Sequence, residues 1–209
     1  MQLSNYLREM EHAIRHIIGE LFREHDAATR LADDVRKLTV AMEDGYRRVE
    51  WLAMNPEFDD EGLGTAIYWD TYFGPDKERH YKKADLDELN QRIAARDFSR
   101  AALAASVLQY AKQGIALRFG KQRTGIAAGR LVGGQPVHEI VWQGRNQALH
   151  WEEGQFNQSV QTCFQQLAAN VDAAFHDYQQ RNMAFDVVQA LGWKDFQDLE
   201  RDMLLLEPP

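Results

Sequence analysis

Apolar residues recur every three or four positions along most of the chain, and few prolines interrupt them. The first two stripes are Ile14, Ile17, Ile18, Leu21 and Phe22, followed by Leu31, Val35, Leu38, Met42 and Val49. This spacing places the apolar side chains on one face of an α-helix. Only five prolines occur in 209 residues, so long segments escape the cost of an interior proline, about 3 kcal/mol. The pattern predicts an all-α helical bundle.

Prolines and glycines indicate where the helices end. We expect an N-terminal helical pair over residues 1–55, because Asn55-Pro56 disfavours further helix. The segment "GLGTAIYWDTYFG" over 62–74 suits a helix or a strand, and we favour a helix. A long helix follows from residue 85 and is expected to end at Gly120, before a glycine-rich loop. Its apolar positions are Leu103, Val107, Ala111 and Ile115.

The remaining segments complete a single all-α domain over 1–209, with a core over 85–190. A short helix is expected in "VHEIVWQGRNQALHW", and a terminal helix over 194–206. Between them runs a stripe of nearly six turns, made of Phe156, Val160, Phe164, Leu167, Val171 and Phe175.

Cysteine content and hydropathy indicate the compartment. The single cysteine, Cys163, cannot form a disulfide within the chain and stands beside Phe164 as a small core residue. The N-terminus lacks the apolar core of a signal peptide, and no apolar run approaches the roughly 18 residues of a membrane span. We therefore expect a cytoplasmic protein that does not enter a membrane.

Positive charge is concentrated between Asp97 and Glu139, where no acidic residue occurs. The whole chain has a net charge of −8 and this segment contains six positive charges, so the rest carries −14. A basic surface attracts RNA phosphates, although these cations can also pair with acidic residues elsewhere. The candidate RNA-binding residues are Lys112, Arg118, Lys121, Arg123 and Arg130.

The segment "QGRNQALHWEEG" over 143–154 combines the side chains that metal-free RNA cleavage requires. Asn146 and His150, four residues apart, share a helix face, and the long Arg145 side chain can reach it. An imidazole can move the proton of a ribose 2′-OH, and a guanidinium can hold the phosphate. The alternative is structural: Arg145 pairs with a nearby glutamate, Glu152 or Glu139, and His150 bonds a carbonyl.

The arrangement Arg145-Asn146-x-x-x-His150 resembles the R-x4-6-H signature of the HEPN superfamily, over roughly residues 86–178. The resemblance implies a HEPN-like helical bundle with additional N-terminal helices, often homodimeric. It also implies a metal-independent endoribonuclease without a cofactor, of the kind found in toxin–antitoxin, CRISPR-linked and phage-defence systems. In this reading Arg145 and His150 are catalytic and Asn146 supports them. Glu152 occupies a position where related toxins often carry a tyrosine whose modification silences them, which leaves that mode of control in doubt.

Two other functions remain open at the level of the sequence. A HEPN-like module without catalytic activity would bind a protein partner or nucleic acid. A metal-binding bundle would use Glu9, His12 and His16, but the second Glu-x-x-His motif of a di-iron site is missing. Aromatic residues near the motif, Trp142 and Trp151, can stack on RNA bases, although core or interface positions are more usual. The group Tyr68, Trp69, Tyr72 and Phe73 is also expected in a core or an interface.

Overall fold

The computed structural model describes residues 1–208, apart from the side chain of Glu24. Almost all of its regular structure is helical, which confirms the all-α class. The α-helices are α1 Leu3–Met54, α2 Leu63–Thr71, α3 Lys77–Ala95, α4 Asp97–Phe119, α5 Val137–His150, α6 Gln158–Asn170, α7 Ala184–Ala190 and α8 Phe196–Leu204. A two-stranded antiparallel hairpin joins β1 Leu131–Val132 to β2 Gln135–Pro136. Short 3-10 turns lie at Pro56–Phe58, Asp60–Gly62, Trp151–Glu153 and Ala173–Gln179, and a π-helical turn at Tyr72–Asp76.

The described chain forms two compact units, where the sequence predicted one domain. The first unit comprises Met1–Phe22 and the chain from Arg96 onward, and the second comprises Arg23–Ala95. The predicted core over 85–190 crosses the boundary between these units, because its first residues, in α3, belong to the second unit. No helix among the described residues is both long and apolar enough to cross a membrane.

The first unit has a continuous apolar core built around α4 and α5. Ile14 and Ile18 of α1 are fully buried there, as are Val107 and Ile115 of α4, as their helical spacing predicted. Close packing depends on Gly144 of α5, where an added Cβ would lie 2.9 Å from Cγ1 of Val187. The absent side chain thus allows α5 to approach α7.

Several helix boundaries differ from the sequence-based expectation. Helix α1 is continuous over Leu3–Met54, not a helical pair, because no proline interrupts it and its two glycines cost only about 1 kcal/mol each. The long helix expected from residue 85 is divided at Arg96, whose backbone leaves the helical region (φ −106°, ψ 9°). The stripe over 156–175 is divided between α6 and the turn at Ala173–Gln179. Helices α2 and α5 and the stop at Gly120 are confirmed, and α8 lies within the expected 194–206.

The second unit buries little hydrophobic surface. Its helices meet where Gly45 of α1 approaches Thr71 of α2, and where Lys82 of α3 donates to Asp34 of α1 at 2.8 Å. The aromatic group that we expected in a core or an interface is exposed, so a core position is excluded within the described unit. These residues are Tyr68, Trp69, Tyr72 and Phe73.

Candidate functional site

Polar side chains follow one face of α5, at positions separated by four and three residues. Gln143, which is buried, donates to Glu139 Oε1 at 2.7 Å. Asn146 in turn donates to Gln143 Oε1 at 3.4 Å. The spacing keeps these three side chains on one side of the helix. His150, at the end of α5, follows Asn146 by four residues and lies on the same side. A row of hydrogen-bonded polar groups thus runs from the start of α5 to the predicted catalytic residues.

Two cations converge on the amide of Asn146. Lys112 Nζ, from α4, and Nη1 of Arg145 each donate to Asn146 Oδ1 at 3.4 Å. Arg145 is held further by Gln109 of α4, whose Oε1 accepts from Nε at 2.6 Å. The indole ring of Trp142 lies 4.6 Å from Lys112 Nζ. We call Lys112, Arg145 and Asn146 the cationic cluster; the structure brings together these three predicted site residues.

The positive charge of the cationic cluster is not neutralised by a carboxylate. Neither Lys112 nor Arg145 forms an ion pair among the described residues, so Arg145 does not pair with Glu139 or Glu152, the structural alternative raised by the sequence. Burial, and then the charges of Arg145 and Lys121, lower the pKa of Lys112 from 10.5. Burial also lowers the pKa of Arg145. Such shifts arise where cations lose water and gain no anion, so an anion bound here would be stabilised.

His150 ends α5 and is partly exposed. Its Nδ1 lies 2.8 Å from Oε1 of Glu153, three residues further along the chain. An ionised carboxylate can only accept a hydrogen bond, so Nδ1 carries the proton in this contact. In the tautomer with its proton on Nδ1, the ring has the lone pair on Nε2 that a general base requires. His150 is linked to Glu153, and no hydrogen bond joins it to the cationic cluster.

A groove of about 630 Å³ lies between α4 and the C-terminal half of α5. Arg145 and Glu152 line it, together with the aromatic side chains Phe98, Tyr110 and Trp151. Small residues of α4, Ala102 and Ala105, also line it. His150 is not among the lining residues. The groove is therefore continuous with Arg145 but lies to one side of the imidazole.

The candidate RNA-binding residues outside the cationic cluster fall into two groups. Arg118 pairs with Glu207 at 2.9 Å, and Arg123 pairs with Glu139 and also lies 4.9 Å from the Trp142 ring. Arg130 is bound to the buried Asp202. Lys121 is exposed and has no ion pair among the residues that the structure describes. Lys121 is thus the one among these four whose charge is not engaged within the chain.

Some residues that shape the site were not anticipated from the sequence. Gln147, fully buried within the motif, donates at 2.7 Å to the carbonyls of both Tyr178 and Arg181. Its Oε1 accepts from the amide of Met183 at 2.9 Å. Gln147 thereby fixes α5 against the segment before α7. Nothing in the local sequence marks this glutamine, whereas the spacing of Glu153 from His150 does indicate a pair.

Comparison of the chain with protein-family models, curated proteins and solved structures gives no significant match. No three His, Cys, Asp or Glu side chains come together as a metal site within the described part of the chain.

Proposed function

We propose that the protein is a metal-independent endoribonuclease of the HEPN type. The observation that carries the proposal is the cationic cluster, in which Lys112 and Arg145 share one amide oxygen and have no carboxylate partner among the described residues. A bound phosphate would supply the missing negative charge and accept a bidentate contact from the guanidinium. The motif that contains Arg145 also supplies a histidine, so phosphate binding and proton transfer are available on the same helix.

The proposed reaction is an intramolecular displacement at phosphorus. Nε2 of His150 takes the proton of a ribose 2′-OH, and the 2′-oxygen bonds to phosphorus. The bond from phosphorus to the 5′-oxygen breaks, and that oxygen receives a proton. The products are a 2′,3′-cyclic phosphate and a free 5′-OH. Arg145 and Lys112 stabilise the negative charge that builds on the phosphate oxygens.

One copy of the site contains one histidine of the motif, whereas the reaction needs both a proton acceptor and a proton donor. We propose that a homodimer provides His150 twice in one cleft. Leu149, next to His150, is a large apolar side chain with 53% of its surface exposed, and a second copy would cover it. In this proposal the protein acts in the cytoplasm as a toxin or phage-defence effector, with an antitoxin or another defence protein as a partner.

Cleavage of cellular RNA in excess EDTA tests the function. We expect the purified protein to cut RNA and to leave cyclic phosphate ends, and the substitutions Arg145→Ala and His150→Ala to abolish cutting. Glu9→Ala, which changes an exposed carboxylate of the first unit, is the control and should retain activity.

The proposed catalytic roles also predict that the two substitutions affect RNA affinity differently, although both abolish RNA cleavage. His150→Ala should bind RNA as tightly as the wild type, whereas Arg145→Ala should bind it more weakly. Equal cutting by the wild type and both variants would show that these residues are not catalytic. RNA binding without cutting by any of the proteins would favour a HEPN-like binding module.

A further inference from the structure

The groove beside Arg145 has charges of opposite sign at two separate points. Arg145 lies in α5, and Glu152, seven residues further along the chain, lies in the 3-10 turn that follows this helix. Both side chains line the groove. A ligand that spans them must present an anionic group at one end and hydrogen-bond donors at the other.

The carboxylate of Glu152 is available for such a ligand. It forms no hydrogen bond or ion pair among the described residues, and its side chain is exposed. The adjacent Glu153, in contrast, is engaged by His150. An ionised carboxylate accepts hydrogen bonds only and therefore selects N–H donors.

The other side chains that line the groove suit a flat ring. Phe98, Tyr110 and Trp151 provide aromatic surface, and the small Ala102 and Ala105 leave space beside it. Single-stranded RNA is commonly read by stacking of splayed bases on aromatic side chains and by hydrogen bonds to their Watson–Crick edges. A nucleotide has the required order of groups: a phosphate, then a ribose, then a flat base with a polar edge.

We propose that this groove is a guanine-binding subsite, in which Arg145 holds a phosphate and Glu152 accepts from the base. Guanine presents two adjacent donors, N1–H and the 2-amino group, to one carboxylate. Adenine and cytosine place a ring nitrogen acceptor beside their amino group, and uracil flanks its N–H with carbonyls. The inference rests on the proposed function, which supplies RNA as the substrate. It adds that the protein cuts RNA next to guanosine.

Equilibrium binding of nucleoside 3′-monophosphates tests the subsite without requiring cleavage. Each nucleotide is titrated into the His150→Ala variant in a calorimeter. We expect guanosine monophosphate to bind about 10- to 100-fold more tightly than the adenosine, cytidine and uridine monophosphates. Inosine monophosphate, which lacks the 2-amino group, should bind more weakly than the guanosine form. Adding Glu152→Gln should remove the preference for guanosine, whereas adding the control Glu9→Gln should preserve it.

The possible outcomes separate this inference from the proposed function. Equal affinity for the four nucleotides, or a preference that survives Glu152→Gln, would overturn the guanine subsite even if RNA is still cut. Failure of every nucleotide to bind would overturn it as well and would fit a groove occupied by a second copy of the chain. A guanosine preference in a protein that cuts no RNA would support the subsite and count against the nuclease.

Discussion

Among single residues, Arg130 shows that a position in a basic segment does not establish an RNA-binding role. Its guanidinium donates from Nε to Asp202 at 2.9 Å and from Nη2 to the Leu191 carbonyl at 2.6 Å. Asp202 has only 1% of its surface exposed and also accepts from Trp193 Nε1 at 2.8 Å. A position within a basic segment predicts RNA binding, but the partner that decides the role of Arg130 lies 72 residues away along the chain.

Arg130→Ala should therefore lower stability. Removal of the guanidinium leaves the buried Asp202 carboxylate largely uncompensated, at a cost of about 3 kcal/mol in the free energy of unfolding. Urea denaturation measures this cost. The matched control, Arg118→Ala, removes a more exposed pair with Glu207 and should cost less than about 1 kcal/mol. Equal stability of the two variants would contradict the structural role of Arg130.

The lowered pKa of Lys112 predicts a distinctive pH dependence of RNA binding. A lysine whose pKa lies below 10.5 loses its positive charge as the pH rises through that lower value, so affinity should begin to fall earlier than it does for an ordinary lysine. Arginine retains its charge, and Lys112→Arg should keep its affinity over the same range. Anisotropy with a 2′-O-methyl oligoribonucleotide, which resists alkaline hydrolysis, measures this at constant ionic strength.

An exposed lysine outside the cationic cluster provides the control for this pH series. Lys194→Arg should follow the wild-type curve, because Lys194 is not part of the cluster. Parallel loss of affinity by the wild type and Lys112→Arg would show that Lys112 does not titrate in the RNA-binding site.

At the scale of elements, periodicity predicted helices well and their ends less well. Helix α5 was predictable because its apolar and polar positions alternate with helical spacing, and Gly120 marked the end of α4. The break at Arg96 was not predictable, since neither glycine nor proline occurs there. The hairpin at Gly133-Gly134 was also missed, although both glycines adopt the positive φ angles (55° and 80°) that a tight hairpin turn requires. Its strands have only two residues each, too few for a visible alternation.

The packing of α5 against α7 predicts a coupled pair of substitutions. Gly144→Ala gains about 1 kcal/mol of helix propensity but places a methyl group 2.9 Å from the stiff side chain of Val187. Overpacking costs about 1 to 3 kcal/mol, so the variant should be less stable by about 1 kcal/mol. In the double variant Gly144→Ala/Val187→Ala, the space left by valine accommodates the methyl group. Urea denaturation should then show a loss smaller than the sum of the two single losses, by about 1 kcal/mol; strict additivity would contradict the contact.

At the scale of the whole molecule, apolar surface is distributed very unevenly. The first unit contains almost all of the core, whereas Ala28, Leu52 and Leu89 are the buried hydrophobic residues of the second unit. The apolar periodicity of the sequence did not predict this difference. It shows which face of a helix is apolar, but not whether another helix packs against that face. Large exposed apolar patches on a folded chain commonly mark interaction surfaces.

The proposed homodimer is the prediction that concerns the molecule as a whole. Leu149→Glu places a charge beside His150 in the proposed interface, and we expect this variant to elute as a monomer at micromolar concentrations and to lose RNA cleavage. Because Leu149 also lines the groove beside Arg145, elution is the measurement that decides on the dimer. Leu117→Glu is the matched control, because Leu117 of α4 has 50% of its surface exposed against 53% for Leu149. The control should elute and cut RNA as the wild type does. A wild-type protein that is monomeric and cuts RNA would show that one copy of His150 suffices, and the proton for the leaving 5′-oxygen would then have to come from another group.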